Sequence, residues 1–171
     1  GRDKAGNEAL PSSIENIKFD VTAPEFVDVT PGDCTFVMSS AVTYTLTENL
    51  SEASIIWTQV GGEPDFNSPQ IMDVPFNHLT EGSHDSVVVN QQLALQDGSI
   101  YVISFMGVDA AGNRSLGASS TDVMYDITPP EINLSFPLNG SHVPTTAISY
   151  NSSERLKTGT VIWEWIDGKL D

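Results

Sequence analysis

Basic residues are scarce in this chain of 171 residues, cysteine occurs once, at Cys34, and no apolar run is long enough to cross a bilayer. Seven Lys and Arg against 23 Asp and Glu leave a formal charge of −16. A surface so negative repels phosphate backbones and anionic lipid, which makes nucleic acid and membrane surfaces poor partners; no nucleic acid is expected. Membrane insertion needs roughly 20 consecutive apolar residues, and this segment has no such stretch. A lone cysteine cannot close an internal disulfide, nor build a CxxC redox pair or a cysteine zinc site. Gly1 opens directly into polar sequence with no signal-peptide pattern, so any export signal is expected to lie outside this stretch.

The usual marks of catalysis are missing as well. Neither a phosphate-cradling glycine loop nor a nucleophile elbow occurs. Ser83-His84-Asp85 spells a triad in consecutive letters, but neighbours on a strand face opposite ways and cannot line up as nucleophile, base and orienter. His78, His84 and His142 lack the close spacing of a zinc site, and no basic residue near Cys34 in sequence marks it as an activated nucleophile. A non-catalytic protein is expected.

What the sequence does contain is a repeat. Gly1 to Phe26 aligns without a gap with Gly107 to Ile132, an offset of 106 residues. Asp3 meets Asp109, Ala5-Gly6-Asn7 meets Ala111-Gly112-Asn113, Asp20 meets Asp126, and Pro24-Glu25 meets Pro130-Glu131. The register then continues: Pro31 meets Pro137, Tyr44 meets Tyr150, Glu48 meets Glu154, Leu50 meets Leu156, and Ile56-Trp57 meets Ile162-Trp163. Self-similarity at a fixed period signals an array of like units. The expected organisation is the C-terminal piece of one repeat in residues 1–21, a complete repeat in 22–128, and the N-terminal piece of another in 129–171. Neither end piece has the strands to cover its own apolar face, so the polypeptide is expected to extend both ways.

Within the complete unit, short alternating segments are bounded by turn signals, the mark of a sandwich or barrel. Strands are predicted at Glu25–Val29, Ala41–Thr47, Ser54–Gln59, Gln70–Val74, His84–Val89, Ser99–Val108 and Thr121–Ile127, with Gly61-Gly62-Glu63-Pro64-Asp65 breaking the chain after the third. No stretch holds a helical period. About seven antiparallel strands in a unit of this length suit an all-β, immunoglobulin-like Greek-key sandwich. Trp57 falls where such folds keep a core indole, and Tyr101 where a tyrosine ties off the penultimate strand.

The Asp-x-Ala-Gly-Asn turn at Asp109 to Asn113, followed by a strand and then Asp126-Ile127-Thr128-Pro129-Pro130, resembles the recurring boundary of bacterial immunoglobulin-like repeats in large surface adhesins. These modules are akin in architecture to cadherin and fibronectin type III domains. The resemblance covers the whole chain, although the unit is long for the class between Gly61 and Thr80. It implies an extracellular or cell-surface location and contacts with adjacent repeats of the same polypeptide. It also implies calcium at module boundaries, as adhesin repeats and cadherins often have.

That implication meets a reading of the residues themselves. In this topology the incoming linker, the loop after the second strand and the loop before the last strand share one pole, which gathers Asp20, Glu48 with Glu52 nearby, Asp109 and Asn113. The opposite pole, with Asp33 and Asp97, would face Asp126 and Glu154 of the following repeat. Hard oxygen ligands converging from loops suit calcium. The competing reading is structural: Asp20 and Asp126 cap turns, Asp109 makes an Asx-turn, and Gly112-Asn113 supplies permissive backbone. No Asp-x-Asp-x-Asp-Gly loop is present to decide between them.

The leading expectation is a stalk or spacer of a secreted or surface protein, whose function lies in length, stiffness and copy number. Two alternatives stay open. One is a carbohydrate-binding or spacer module of an extracellular glycan-active enzyme, with Trp163, Trp165 and Phe66 as the aromatics that would meet a glycan or host-surface ligand. The other is a filament subunit whose cut ends are completed by neighbouring chains.

Overall fold

A computed structural model describes residues 1–87 and 93–166. These form two compact units, Gly1–Ile127 and Thr128–Asp171. Among the described residues the regular structure is strand, with a single 3-10 turn at Phe76–His78 and no α-helix.

The first unit holds β1 (Phe26–Thr30), β2 (Phe36–Val37), β3 (Val42–Leu46), β4 (Glu52–Gly62), β5 (Gln70–Asp73), β6 (Gly82–Val87), β7 (Ser99–Val108) and β8 (Ala118–Tyr125). One sheet has the order β1-β3-β6 and the other β2-β8-β7-β4-β5. All neighbours are antiparallel except the short β2, which runs parallel to β8. Alternation along the strands decides which side chains face inward. Val42, Tyr44 and Leu46 of β3, Ile55 and Trp57 of β4, and Tyr101, Ile103 and Phe105 of β7 are all buried, and both sheets contribute to one core. Two such sheets closing on a shared core is the arrangement of a β-sandwich.

Aromatic edges fix the centre of that core. Trp57 meets Tyr101 at 5.7 Å between centroids and 74° between planes, and Phe26 meets Tyr44 at 5.2 Å and 70°, the edge-to-face geometry that aromatic quadrupoles favour. The Tyr101 hydroxyl accepts the Gln96 N–H at 2.9 Å and donates to Asp65 Oδ2 at 2.8 Å. Asp65 is buried, and it also takes the Gln70 amide at 2.6 Å and the Asn67 N–H at 2.9 Å. Its partners thereby outweigh the burial that pushes its pKa up, and the carboxyl is held below its ordinary range.

Several elements depart from the sequence expectation. β4 does not stop before Gly61: a bulge after Gln59 lets Gly61 pair with Ile100 and Gly62 with Ser99. Gly62 has φ +70°, and a Cβ there would meet the Gly98 carbonyl at 2.1 Å, so this strand end requires glycine. β2 is an unanticipated edge strand. The strand expected at His84–Val89 begins at Gly82, and its positions 88 and 89 lie outside the described residues. The last strand of the unit starts earlier than expected, at Ala118, and carries a bulge around Asp122, whose φ is +55°. That bulge explains why its buried residues, Ser120 and Val123, are three apart.

In the second unit β9 (Ile132–Phe136) pairs antiparallel with β10 (Ser149–Ser152). Ile132 pairs with Ser152, Asn133 with Asn151, and Phe136 with Ser149. In the first unit Phe26 pairs with Leu46, Val27 with Thr45, and Thr30 with Thr43. Each of these pairs is the other moved by 106 residues, including the one-residue register shift between the second pair and the third. The hairpin entrance is duplicated too. The Glu25 N–H donates to Thr47 Oγ1 at 2.9 Å, and the Glu131 N–H to Ser153 Oγ at 2.9 Å.

Candidate metal site

The register of β4 on β7 places Glu52 beside Val108, so the loop entering β4 and the loop leaving β7 share one end of the sandwich. Leu50 anchors the first loop. It is buried, its N–H donates to the Leu79 carbonyl at 2.8 Å, and its side chain fills the space where a Cβ on Gly107 would stand. Ser51 completes the join, with its N–H on the Val108 carbonyl at 2.7 Å and its hydroxyl shared between the Val108 and Asp109 carbonyls at 2.9 Å each. Glu48 is thereby carried to the mouth of the Asp109 turn.

That turn is built around its first residue. Asp109 Oδ1 accepts the N–H groups of Ala111 and Asn113 at 2.8 Å each, and Oδ2 accepts the Asn113 side-chain amide at 2.8 Å. Gly112, at φ +93°, turns the backbone in the left-handed region. The Asp3 turn is a replica: Oδ1 takes Ala5 and Asn7 at 2.9 and 2.8 Å, Oδ2 takes the Asn7 amide at 2.8 Å, and Gly6 has φ +92°. The likeness stops near Leu10, since residues 12–19, the counterparts of β8, form no strand.

The linker arrives at the same place. Asn113 Nδ2 reaches the Asp20 carbonyl at 3.3 Å, the Leu116 N–H donates to the Pro24 carbonyl at 3.2 Å, and Asp20 Oδ1 accepts the Thr22 N–H at 3.2 Å. Three carboxylates from three distant segments, Asp20, Glu48 and Asp109, consequently present oxygens within 4.8 Å of one another. They line a cleft of about 370 Å³ together with Lys18, Asn49 and Glu81.

Protonation at the site is divided. For Asp109, burial opposes ionisation, but the Asn113 side chain and the turn N–H groups outweigh it and hold the pKa low. Asp20 is held low chiefly by its hydrogen bond to Lys18, whose ammonium lies 2.8 Å from Oδ2. Glu48 goes the other way, raised first by burial and then by the charges of Asp20 and Asp109. Four carboxylates line the cleft with Lys18, whose ammonium is paired with Asp20. An all-oxygen donor set of this kind fits a hard divalent ion such as calcium. Asp20, Glu48 and Asp109 would hold it, and its charge would join the linker to both loops.

Asp109 makes the Asx-turn expected of it and also lines the cleft. Asn113 stands at the site as a brace, its amide nitrogen engaged by Asp109 and by the linker. Glu52 lies at the start of β4 and is not in the carboxylate group. At the other end of β7, Asp33 Oδ1 accepts the Thr121 N–H at 2.6 Å and Asp97 Oδ1 accepts the Ile127 N–H at 2.9 Å. Asp126 closes the first unit with its N–H on the Val37 carbonyl at 2.9 Å, and Glu154 is exposed in the second. Among the described residues no second group of three such side chains meets.

Lys18, Asn49 and Glu81 were not anticipated at the site. Lys18 could have been, as one of seven basic residues and two positions before Asp20; Asn49 and Glu81 meet only through a bond of the Glu81 N–H to Asn49 Oδ1, at 2.7 Å. The Ser83-His84-Asp85 run is dispersed: the Ser83 hydroxyl meets that of Thr45 at 3.0 Å and His84 Nε2 meets the Thr80 carbonyl at 2.6 Å. Compared with known protein families and with curated protein sequences, the chain matches none.

Proposed function

We propose that this chain is a stretch of a tandem array of immunoglobulin-like sandwiches, serving as a stalk or spacer of a secreted or cell-surface bacterial protein, with calcium stiffening the joint at Asp20, Glu48 and Asp109. The observation that carries the reading is the duplicated hairpin, in which β9 and β10 repeat the pairing of β1 and β3, bulge included, at an offset of 106 residues. The replicated Asp3 and Asp109 turns support it from the other side of the unit. The sheet orders β1-β3-β6 and β2-β8-β7-β4-β5 support the immunoglobulin-like topology. In such arrays each unit contacts its neighbours only, and length follows copy number.

The test is small-angle scattering on polypeptides carrying one, two and three complete units, with calcium and with chelator. The ten residues of β7 span roughly 33 Å at about 3.3 Å each, so the maximum dimension is expected to grow by about 40 Å per unit. In chelator the same molecules are expected to bend more and extend less. Dimensions that stay those of a compact globule as units are added would sink the stalk role, and curves indifferent to calcium would sink the joint.

A further inference from the structure

We propose that the apolar face of the second unit is an acceptor for a polypeptide segment of the β6–β8 kind, meaning strands that carry inward aliphatic and aromatic residues as β6, β7 and β8 do in the first unit. The inference rests on the repeat reading above. Ile132, Ile148, Tyr150, Leu156, Val161 and Trp163 line an open groove of about 570 Å³. At an offset of 106 their counterparts are Phe26, Val42, Tyr44, Leu50, Ile55 and Trp57, every one buried in the first core. Trp57 is 0% exposed and Trp163 54%; Tyr44 is 2% exposed and Tyr150 48%.

What covers these positions in the first unit is on view. Val87 of β6, Tyr101, Ile103 and Phe105 of β7, and Val123 of β8 share the core with them. Tyr101 sets its edge against Trp57, and Phe105 lies 5.8 Å from Phe26. The second unit has kept the apolar residue types of that contact, although residues 158–166, counterparts of β4, form no strand. Tyr, Leu and Trp are unchanged at three of the six positions, and the other three exchange only among Phe, Ile and Val. The shared hairpin register then sets Ile132 on the backbone position of Phe26, and matched pairs flank Tyr150 as they flank Tyr44. An apolar surface of this kind is not stable against water on its own. Pairing of two such faces from two copies is opposed by the −16 charge on each chain.

The test titrates the full chain with a synthetic fragment of residues 82–127, following tryptophan emission and acrylamide quenching. A control fragment carries Tyr101→Ser, Ile103→Ser and Phe105→Ser. Expected is a saturable blue shift and protection with the native fragment, absent with the control and diminished in the Trp163→Phe chain. Exchange of the fragment into the first unit leaves Trp57 buried and contributes no shift. Fusing residues 66–127 directly after Asp171 makes the same test without depending on fragment solubility, and there Trp163 should become as protected as Trp57. The proposal is overturned if the fusion leaves Trp163 open to quencher, if both fragments act alike, or if the unmixed chain already hides Trp163 by self-association. Scattering that contradicts a stalk leaves these outcomes unaffected, and failure here leaves the scattering result standing.

Discussion

Asn113 joins the incoming linker to the boundary turn, its Nδ2 donating both to Asp109 Oδ2 at 2.8 Å and to the Asp20 carbonyl at 3.3 Å. The opposite amide orientation would turn Oδ1 toward two acceptors, so the hydrogen bonds fix which atom faces the site. The linker is therefore held at the cleft by neutral hydrogen bonding before any cation contributes.

Replacing Asn113 with Ala removes the donor to both oxygens at a half-buried position. A lost hydrogen bond with unsatisfied partners costs about 1–3 kcal/mol. The Asn113→Ala chain should melt lower than the native one in chelator as well as in calcium, and limited proteolysis should cut faster near Asp20. An unchanged melt in chelator would show that the brace does not hold the linker.

Glu48 gives a prediction with two signs. Burial and the charges of Asp20 and Asp109 raise its pKa above the ordinary 4.5, so its ionised form is disfavoured in the folded state. That penalty is absent below the unfolded value and develops as pH rises through the raised folded value. Asp20 and Asp109, held low, contribute stability above the ordinary carboxylate range and lose it as pH falls through their depressed values. Glu48→Gln should accordingly raise the Tm in chelator at pH 7 and change it little near about pH 3. The same substitution should abolish the stabilisation by calcium that the proposed joint entails, about 2.7 kcal/mol for a ligand bound only by the folded state at 100 times its Kd. Calorimetry at both pH values, with and without calcium, separates the two effects.

The alternation of Val42, Tyr44 and Leu46, and of Tyr101, Ile103 and Phe105, made β3 and β7 legible, because a buried face on one side of a strand imposes period two on the sequence. The convergence of Asp20, Glu48 and Asp109 was legible for a related reason: the repeat placed the linker and the topology placed the loops. Features that depend on partners distant in sequence were not legible. β2 exists because Phe36 and Val37 pair with Met124 and Tyr125, and nothing local to two residues announces it. Gly61-Gly62 reads as a chain breaker until Gly98 is beside it. Asp65 looks like an exposed turn carboxylate, and only the Tyr101 hydroxyl and the Gln70 amide make it a buried one.

In the proposed calcium joint, Lys18 would compete with the ion for Asp20. Its ammonium, 2.8 Å from Asp20 Oδ2, has a raised pKa through that bond. Lys18→Ala should tighten calcium binding by roughly two- to fivefold, about what an exposed ion pair is worth. Titration calorimetry should show the gain shrinking as salt rises, since an exposed pair is screened. Weaker binding in the variant would mean that Lys18 organises the cleft.

At the other end of the sandwich, Tyr101→Phe deletes one hydroxyl, leaving the Gln96 N–H without its acceptor and the buried Asp65 with only the Gln70 amide and the Asn67 N–H. The expected cost is about 1–3 kcal/mol, which in a domain of this size lowers the Tm on the order of 5–15 °C. Asp65 is held below its ordinary pKa by partners that include this hydroxyl. Its contribution is present above the unfolded value and is lost as pH falls through the depressed one, so the gap between variant and native chain should narrow in strong acid.

Trp57 and Trp163 are the same residue at corresponding positions, and they should respond differently to the same change. Trp57 is enclosed by both sheets of the first core, so Trp57→Ala leaves a cavity and should cost about 3–5 kcal/mol. Trp163 is half exposed on an uncovered face, and Trp163→Ala removes little from the folded state, with an expected change under about 1 kcal/mol. Denaturant melts followed by circular dichroism measure both. Covering the second face by fusing residues 66–127 after Asp171 supplies Trp163 with the neighbours Trp57 already has, so the Trp163→Ala cost should climb toward the Trp57→Ala value. A cost that stays small in the fused chain would mean that the two tryptophans occupy different kinds of site, despite their matching sequence positions.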